Sequence, residues 1–159
     1  EHGNADAEIN WLVELISGIR SVRSEMNVPA AARIPMQVID AGEETKQRLE
    51  THQDAILRLA RISAITLVEK VPEGAAQLVL NEANFALPLG DVIDLAVEKS
   101  RLSKDIAKLD AEIAKIDNKL GNEQFIAKAP EEIIAEQKTR RADLSERRDR
   151  IALALTRLG

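Results

Sequence analysis

The sequence contains no cysteine, so disulfide bonds and thiolate chemistry are excluded. A chain without cysteine suits a reducing compartment, and we expect a cytoplasmic protein. Histidine is almost as scarce, since His2 and His52 are the only two and neither has ligand-like neighbours in the sequence. We therefore expect no zinc or other metal site.

Aromatic residues and long apolar runs are also scarce. The aromatic residues are Trp11, Phe85 and Phe125, whereas 45% of all residues are hydrophobic, so the predicted core is aliphatic with Trp11 inside it. No run of 18 apolar residues is present, and the first residues do not combine a basic stretch with an apolar one. We expect neither a membrane contact nor a signal peptide.

The net charge of −5 is unevenly distributed along the chain. Residues 1–90 carry 8 basic and 13 acidic side chains, whereas residues 91–159 carry 14 of each. The acidic excess therefore belongs to the first part of the chain. A polyanionic partner would favour the second part, although its neutrality only permits such binding.

The clearest pattern in the sequence lies between residues 94 and 158. Apolar residues follow one another at steps of three and four, the spacing of a coiled coil, at Leu102, Ile106, Leu109, Ile113, Ile116 and Leu120. Residues 121–129 break the pattern. A second apolar stripe follows Pro130, at Ile134, Leu144, Ile151, Leu155 and Leu158. This pattern predicts a long antiparallel helical hairpin. A turn centred near residue 125 would place Arg148 opposite Leu102 and Arg141 opposite Leu109.

The first part of the chain alternates between helical and extended patterns. We predict helices over 6–26 and 43–61, and strands over 33–40, 64–70, 76–81 and 85–89. Pro35 marks the first strand as an edge strand or lies at the strand's start. The predicted fold class is α+β: residues 1–90 form a small α/β sandwich with one mostly antiparallel sheet, and residues 91–159 form a coiled-coil arm.

No catalytic constellation is visible, so the basic side chains of the arm are the functional candidates. Arginine and lysine bind phosphate, and arginine also stacks on bases. The candidates for nucleic-acid binding are Arg140 and Arg141 first, then Lys138, Lys104, Lys108 and Arg148. The alternative is that these side chains are the positive halves of surface ion pairs. At the tip, Phe125 is either a plug that closes the hairpin or an exposed stacking platform.

Several stretches resemble bacterial valyl-tRNA synthetases. IRSVRSEMNVP, residues 19–29, is similar to the end of the anticodon-binding domain of that family. Residues 81–137 are similar to its C-terminal arm, and the most specific stretch is KLGNEQFIAKAPEEII, residues 119–134. A generic coiled coil would not share that connecting loop. The resemblance covers nearly the whole chain.

The resemblance implies a C-terminal portion of valine–tRNA ligase, whose arm contacts the elbow of tRNA where the D and T loops meet. The full enzyme would use ATP to join valine to tRNA. The family's ATP-binding signatures, H-I-G-H and K-M-S-K-S, are absent from this sequence. We therefore expect no activity and no cofactor in this chain alone. Its expected partners are valine-specific tRNA and the rest of the synthetase chain, and we expect a monomer.

A second hypothesis belongs to a different class of protein. The hairpin could be a structural or adaptor element that binds a protein partner or a second copy of itself. Its sign would be exposed apolar side chains outside the seam, for which Ile133, Leu153 and Phe125 are the candidates.

Overall fold

The computed structural model describes residues 2–158, and the chain divides into two compact units. One unit comprises the chain up to Glu98 together with Arg157 and Leu158, and the other comprises residues 99–156. The first unit contains a four-stranded sheet with helices, and the second is helical. The predicted α+β class is confirmed. No helix among the residues described is long and apolar enough to cross a lipid bilayer.

The first unit is built from three helices and four strands. In chain order they are α1 (His2–Glu25), β1 (Ile34–Ile39), α2 (Glu43–Thr51), α3 (Gln53–Leu59), β2 (Ile62–Val68), β3 (Ala75–Leu80) and β4 (Ala83–Pro88). The helix predicted over 43–61 is broken at His52, whose backbone angles of φ −106° and ψ 15° leave the helical region. Helix α3 ends at Leu59 and β2 begins at Ile62, so each boundary lies two residues before its predicted position.

The sheet has the strand order β2-β1-β4-β3. The strands β1 and β2 are parallel, and they are connected through α2 and α3, whereas the other two pairs are antiparallel. The sheet is therefore mixed, with two of its three pairs antiparallel. Strand β1 lies inside the sheet rather than at its edge. Pro35 is tolerated because it lies at the start of β1, where the register shifts between Ile34 and Met36.

The turn between β3 and β4 is shorter than the interval between the strands predicted over 76–81 and 85–89. Leu80 pairs with Ala83, so the turn consists of Asn81 and Glu82. Asn81 has a φ of 56°, in the left-handed region that asparagine tolerates better than most residues. The strands consequently extend to within two residues of each other.

The core of this unit lies between α1 and the sheet. Helix α1 contributes a completely buried stripe of Leu15, Ile19, Val22 and Met26. Trp11 is also buried, with 3% of its surface exposed. The helix approaches β3 closely at Gly18, where a Cβ atom would lie 2.8 Å from Cδ2 of Leu78. The absence of a side chain at Gly18 thus permits this approach.

The remaining helices are α4 (Leu95–Leu120), the short α5 (Glu123–Lys128) and α6 (Glu131–Arg157). Asn122 caps α5 because its Oδ1 accepts hydrogen bonds from the backbone N–H groups of Gln124 and Phe125, at 2.9 and 3.3 Å. The break predicted over 121–129 is therefore a helical turn with its own cap. Pro130 immediately precedes α6, where its missing N–H removes no helical hydrogen bond.

Candidate nucleic-acid interface

Helices α4 and α6 each carry a stripe of buried or half-buried side chains at heptad spacing. Leu102, Leu109 and Ile116 follow one another at intervals of seven residues on α4, and all three are buried. The facing stripe of α6 is half-buried, at Ile134, Gln137, Arg141, Leu144, Arg148, Ile151 and Leu155. This is the heptad pattern that the sequence predicted. The seam combines an apolar strip on α4 with a strip on α6 that carries two arginines.

Those two arginines bind aspartates of the opposite helix. Nε of Arg148 lies 2.8 Å from Oδ1 of Asp110, and its Nη2 lies 3.5 Å from Oδ2. Arg141 binds Asp117 in the same two-pronged way, with 3.2 Å between Nη2 and Oδ2. Both arginines and both aspartates are seven residues apart, so the same cross-helix contact occurs in two successive heptads. The contacts fix α4 and α6 as antiparallel neighbours.

The predicted register of the hairpin was wrong for the contacts of Arg141 and Arg148, whereas the contact of Arg140 with Glu112 departs from it by only two residues. Arg148 meets Asp110 instead of Leu102, and Arg141 meets Asp117 instead of Leu109. Each partner lies eight residues further along α4, about 12 Å at 1.5 Å per residue. One reason is that α5 lengthens the connection beyond the assumed centre. A second is that long side chains on a helix lean toward its N-terminus, which carries both guanidinium groups toward the tip.

The two ion pairs shift the pKa values of their members. Hydrogen bonds from Arg141 hold the pKa of Asp117 below its ordinary value. The carboxylate of Asp110, through its hydrogen bonds, raises the pKa of Arg148, and Asp117 does the same for Arg141. Each guanidinium group therefore already has an anionic partner inside the hairpin.

The opposite flank of the hairpin is marked by a looser contact. Nη2 of Arg140 lies 3.9 Å from Oε2 of Glu112, and 63% of the Arg140 side chain is exposed. Lys108 and Lys115 lie one turn before and after Glu112 on α4, on the same side of that helix. Arg147 lies two turns after Arg140 on α6. We call Lys108, Lys115, Arg140 and Arg147 the basic flank.

The structure separates the six predicted site residues into three groups. Arg140 and Lys108 come together on the basic flank. Arg141 and Arg148 are bound by aspartates on the other flank, where helical spacing also places Lys138. Helical spacing places Lys104 on the outer surface of α4, away from the seam, and its side chain is exposed. Within residues 2–158, Lys104, Lys108 and Lys138 form no ion pair.

Two members of the basic flank were absent from the predicted set, namely Lys115 and Arg147. Their signal in the sequence is the seven-residue spacing of Lys108 with Lys115 and of Arg140 with Arg147. Arg147 lies four residues after Asp143, a spacing that is typical of an ion pair on a helix. In the part of the chain that the structure covers, Arg147 forms no such pair and its side chain is exposed.

Apolar side chains are exposed at separate points of the hairpin. Ile126 at the tip is 40% exposed, Ile133 is 39% exposed and Leu153 is 50% exposed, whereas Phe125 is half-buried. Ile133 and Leu153 are 20 residues apart on one helix, about 30 Å. Isolated exposed apolar residues are normal on protein surfaces. Their separation gives no support to the adaptor hypothesis.

Comparison with known protein families finds a match to the hairpin. Residues 94–159 match the family described as the valyl tRNA synthetase tRNA binding arm. This range contains both helices of the hairpin, α5 and the whole basic flank. This part of the chain is therefore similar to the tRNA-binding arms of that synthetase.

The similarity to valyl-tRNA synthetases extends over nearly the whole chain. A valine–tRNA ligase of Mesorhizobium japonicum is 51% identical over 158 residues, and one of Brucella suis is 47% identical over 158 residues, each covering 99% of this chain. One of Caulobacter vibrioides is 46% identical over 154 residues, or 97% of this chain. The chain spans about 17% of the length of these curated relatives. The matched region is their C-terminal part, as the sequence resemblance predicted.

Proposed function

We propose that this chain is the C-terminal part of a valine–tRNA ligase and that its hairpin binds tRNA through the basic flank. The observation that carries the proposal is the match of residues 94–159 to a tRNA-binding arm, because it covers the segment in which the cations are arranged in rows. The rest of the synthetase chain would activate valine with ATP and transfer it to tRNA. The proposed setting is the cytoplasm, with the protein as a monomer.

The basic flank suits the backbone of an RNA strand. Lys108 and Lys115 are about 10 Å apart along α4, and Arg140 and Arg147 are at the same interval along α6. Lysine ammonium and arginine guanidinium groups bind phosphate oxygens and release counterions, so such contacts strengthen binding without reading the sequence. Glu112 lies among them, but the 3.9 Å separation from Arg140 leaves that arginine free to rotate toward a phosphate.

Arg141 and Arg148 have a different role in this proposal. Both guanidinium groups would have to leave a two-pronged contact with aspartate before they could bind phosphate. We therefore propose that they hold the hairpin together and that Arg140, Lys108, Lys115 and Arg147 make the stronger phosphate contacts. Lys104 and Lys138 are exposed cations on other surfaces, and we propose that they contribute less.

The proposed target on the tRNA is its elbow, where the D and T loops meet. This corner displays phosphates and loop bases away from the acceptor stem and the anticodon. Unpaired bases there can stack on side chains, and the half-buried Phe125 with Ile126 offers an apolar surface at the tip. Recognition of valine-specific tRNA is part of the proposal.

The proposal is tested by the affinity for labelled valine tRNA between about 50 and 300 mM salt. The test variant is Lys108→Glu with Arg147→Glu. The matched control is Lys104→Glu with Lys138→Glu, which changes the net charge equally on other surfaces. We expect the first pair to weaken binding strongly and to reduce the slope of log affinity against log salt by about two, one for each lost phosphate contact.

The outcomes separate the parts of the proposal. Equal losses in the two double variants would show that contacts are spread around the hairpin, including Lys104 and Lys138. Unchanged binding in both would contradict the basic flank. A tRNA whose D and T loops cannot interact should bind weakly, and equally strong binding would contradict the elbow as the target.

A further inference from the structure

The acidic first unit contains a cluster of arginines that has no part in the proposed binding of tRNA by the hairpin. Residues 1–90 have a charge balance of −5, yet five of their eight basic residues are arginines at the end of α1 or near the α3–β2 connection: Arg20, Arg23, Arg33, Arg58 and Arg61. Throughout residues 2–158, none of the five forms an ion pair with a carboxylate. Positive charge therefore accumulates on one side of a unit that is acidic overall.

Three of these arginines line one cavity. It has a volume of about 240 Å³, and its polar lining consists of Arg20, Arg23, Arg61 and Ser24. No lining residue is acidic. The volume is below the ~300–1,000 Å³ of pockets that enclose drug-sized ligands, so a small group is the appropriate occupant. We call this cavity the arginine pocket.

Arg23 is the buried member of the pocket, with 7% of its surface exposed. Its Nη2 donates hydrogen bonds to the carbonyl oxygens of Pro29 and Ala32, at 3.0 and 2.7 Å, and its Nη1 lies 3.4 Å from the carbonyl oxygen of Arg61. These partners satisfy hydrogen bonds but carry no net charge. Burial, followed by the charge of Arg61, lowers the pKa of Arg23. A buried positive charge without a carboxylate leaves a field that an anion can neutralise.

The other two arginines stand at the solvent side of the pocket. Both Arg20 and Arg61 are exposed. Nη1 of Arg61 donates a hydrogen bond to the carbonyl oxygen of Ala30, and both residues line the pocket. The backbone of Arg61 has a φ of 54°, a left-handed conformation that is uncommon for a residue with a long side chain. The surrounding structure thus fixes both the backbone and the side chain of Arg61.

We propose that the arginine pocket binds a phosphate group of an RNA backbone. Arg20 and Arg61 would contact the phosphate oxygens, Ser24 offers a hydroxyl donor, and Arg23 supplies positive charge from behind. Guanidinium groups suit this task because their planar set of donors matches phosphate geometry. The phosphate chemistry follows from the pocket itself, whereas the choice of RNA as its source rests on the proposed function.

The first test measures the pocket without RNA. Inorganic pyrophosphate is titrated into the chain while the side-chain Nε–Hε signals of its arginines are followed by NMR. We expect saturable shifts for Arg20 and Arg61, and much smaller shifts for Arg58, which is exposed but lies outside the pocket lining. Equal, non-saturating shifts at all three arginines would overturn the inference.

The second test uses valine tRNA with the Arg20→Glu variant. Lys70→Glu is the matched control, because Lys70 is exposed elsewhere in the same unit and the charge change is identical. Arg20 is the test position because its side chain is exposed, whereas Arg23 is buried and makes hydrogen bonds to three backbone carbonyl groups. At 0.1 M salt we expect Arg20→Glu to weaken binding about fivefold. Each phosphate contact makes the affinity fall with roughly the 0.7 to 0.9 power of the salt concentration, so at 0.1 M one contact contributes a factor of about five or more. Lys70→Glu should bind like the wild type.

The two proposals fail in different ways. Binding that is lost in the Lys108→Glu, Arg147→Glu variant but equal in Arg20→Glu and Lys70→Glu would keep the proposed function and overturn this inference. A wild-type chain that binds no tRNA would overturn the proposed function and, with it, RNA as the source of the phosphate. Losses in both the flank variant and Arg20→Glu would support both sites.

Discussion

Arg148 on α6 donates hydrogen bonds from two nitrogen atoms of its guanidinium group to the carboxylate of Asp110 on α4, at 2.8 and 3.5 Å. One heptad away, Arg141 repeats the contact with Asp117. The two arginines lie at seam positions, where sequence spacing alone shows only that their side chains must reach out past the apolar strip. Their aspartate partners give them a structural task. The hairpin therefore contains two kinds of cation, those that bind across the seam and those that remain available to a ligand.

Replacement of Arg141 and Arg148 should lower the stability of the hairpin much more than its affinity for RNA. We expect Arg141→Gln with Arg148→Gln to lower the thermal stability of the hairpin, because both cross-helix ion pairs are lost, while the affinity for tRNA falls far less than in the basic-flank variant. Circular dichroism measures the first effect and tRNA titration the second. The glutamines preserve helix propensity, so a loss of helix can be assigned to the contacts.

A matched variant checks this assignment from the other side of the pair. Asp110→Asn with Asp117→Asn removes the same ion pairs but frees both arginines, so we expect similar destabilisation together with equal or stronger tRNA binding. If instead the arginine variant loses tRNA affinity as severely as the basic-flank variant, the two guanidinium groups leave their aspartates for phosphate.

The apolar side of the seam should account for more of the stability than the ion pairs. Leu109 is 7% exposed at the middle of α4, and Leu109→Ala is expected to cost about 2–4 kcal/mol because it leaves a cavity between the helices. Ile126→Ala at the exposed tip should cost less than about 0.5 kcal/mol. Urea unfolding followed by circular dichroism compares the two variants. Similar costs for both would contradict a seam that is packed at Leu109.

Much of the fold could be predicted because apolar spacing directly reports which face of an element is buried. The heptads that contain Leu109 and Ile116 predicted the two arm helices, and β-branched runs predicted the strands. The position of β1 inside the sheet could not be decided from the sequence, because Pro35 fits either an edge strand or the start of a strand, and the structure shows the second. The break at His52 was likewise not predictable, because no proline or glycine near His52 marks it in the sequence.

The candidate site was less predictable for a physical reason. The register of the hairpin depends on the length and conformation of its connection, and the direction in which a long side chain leans adds to the difference. Arg141 consequently binds an aspartate eight residues along α4 from its predicted neighbour. Ion pairs between the two helices then decide which cations remain available to bind a ligand, and such pairs depend on the register. The row that Lys108 forms with Lys115 was visible in the sequence, but only the contact between Arg140 and Glu112 shows which row of α6 shares its flank.

The contact of Glu8 with Arg48 and His52 predicts a pH dependence in the first unit. Oε1 of Glu8 lies 2.7 Å from Nε of Arg48, and Oε2 lies 3.0 Å from Nε2 of His52. Arg48 first, and then His52, hold the pKa of Glu8 below its ordinary value of 4.5. A carboxyl group whose pKa is lowered by folding stabilises the folded state above its unfolded pKa. That contribution is lost as the pH falls through the lowered pKa.

The variant Glu8→Gln should therefore be less stable than the wild type at pH 7, by about 1 kcal/mol or less, because the side chain is partly exposed. The difference between the two proteins should shrink as the pH falls below 4.5. Urea unfolding across this range measures it. Glu14→Gln is the control, since Glu14 is exposed on the same helix and makes no ion pair within residues 2–158. A difference for Glu8→Gln that is constant with pH would contradict the argument.

The contact of Gly18 with Leu78 predicts that the effect of Gly18→Ala on the free energy of unfolding changes sign when Leu78 is replaced by alanine. A Cβ atom at Gly18 would lie 2.8 and 3.1 Å from the two terminal carbons of Leu78, so that side chain must move if Gly18 becomes alanine. Alanine is favoured over glycine inside a helix by up to about 1 kcal/mol. We expect Gly18→Ala to destabilise the wild type but to stabilise a Leu78→Ala background, where the clash is gone.

Urea unfolding of the four proteins in this cycle gives the coupling between the two positions. A value of about 1 kcal/mol or more would be typical of residues in direct contact. Gly3→Ala supplies the control, because nothing lies within 4 Å of its added carbon and Leu78 should not alter its effect. If Gly18→Ala changes the free energy of unfolding equally in both backgrounds, Leu78 does not limit how closely α1 approaches β3. The Leu78 side chain would then move away from the added carbon at little cost, and other terms, such as helix propensity, would set the effect of alanine at Gly18.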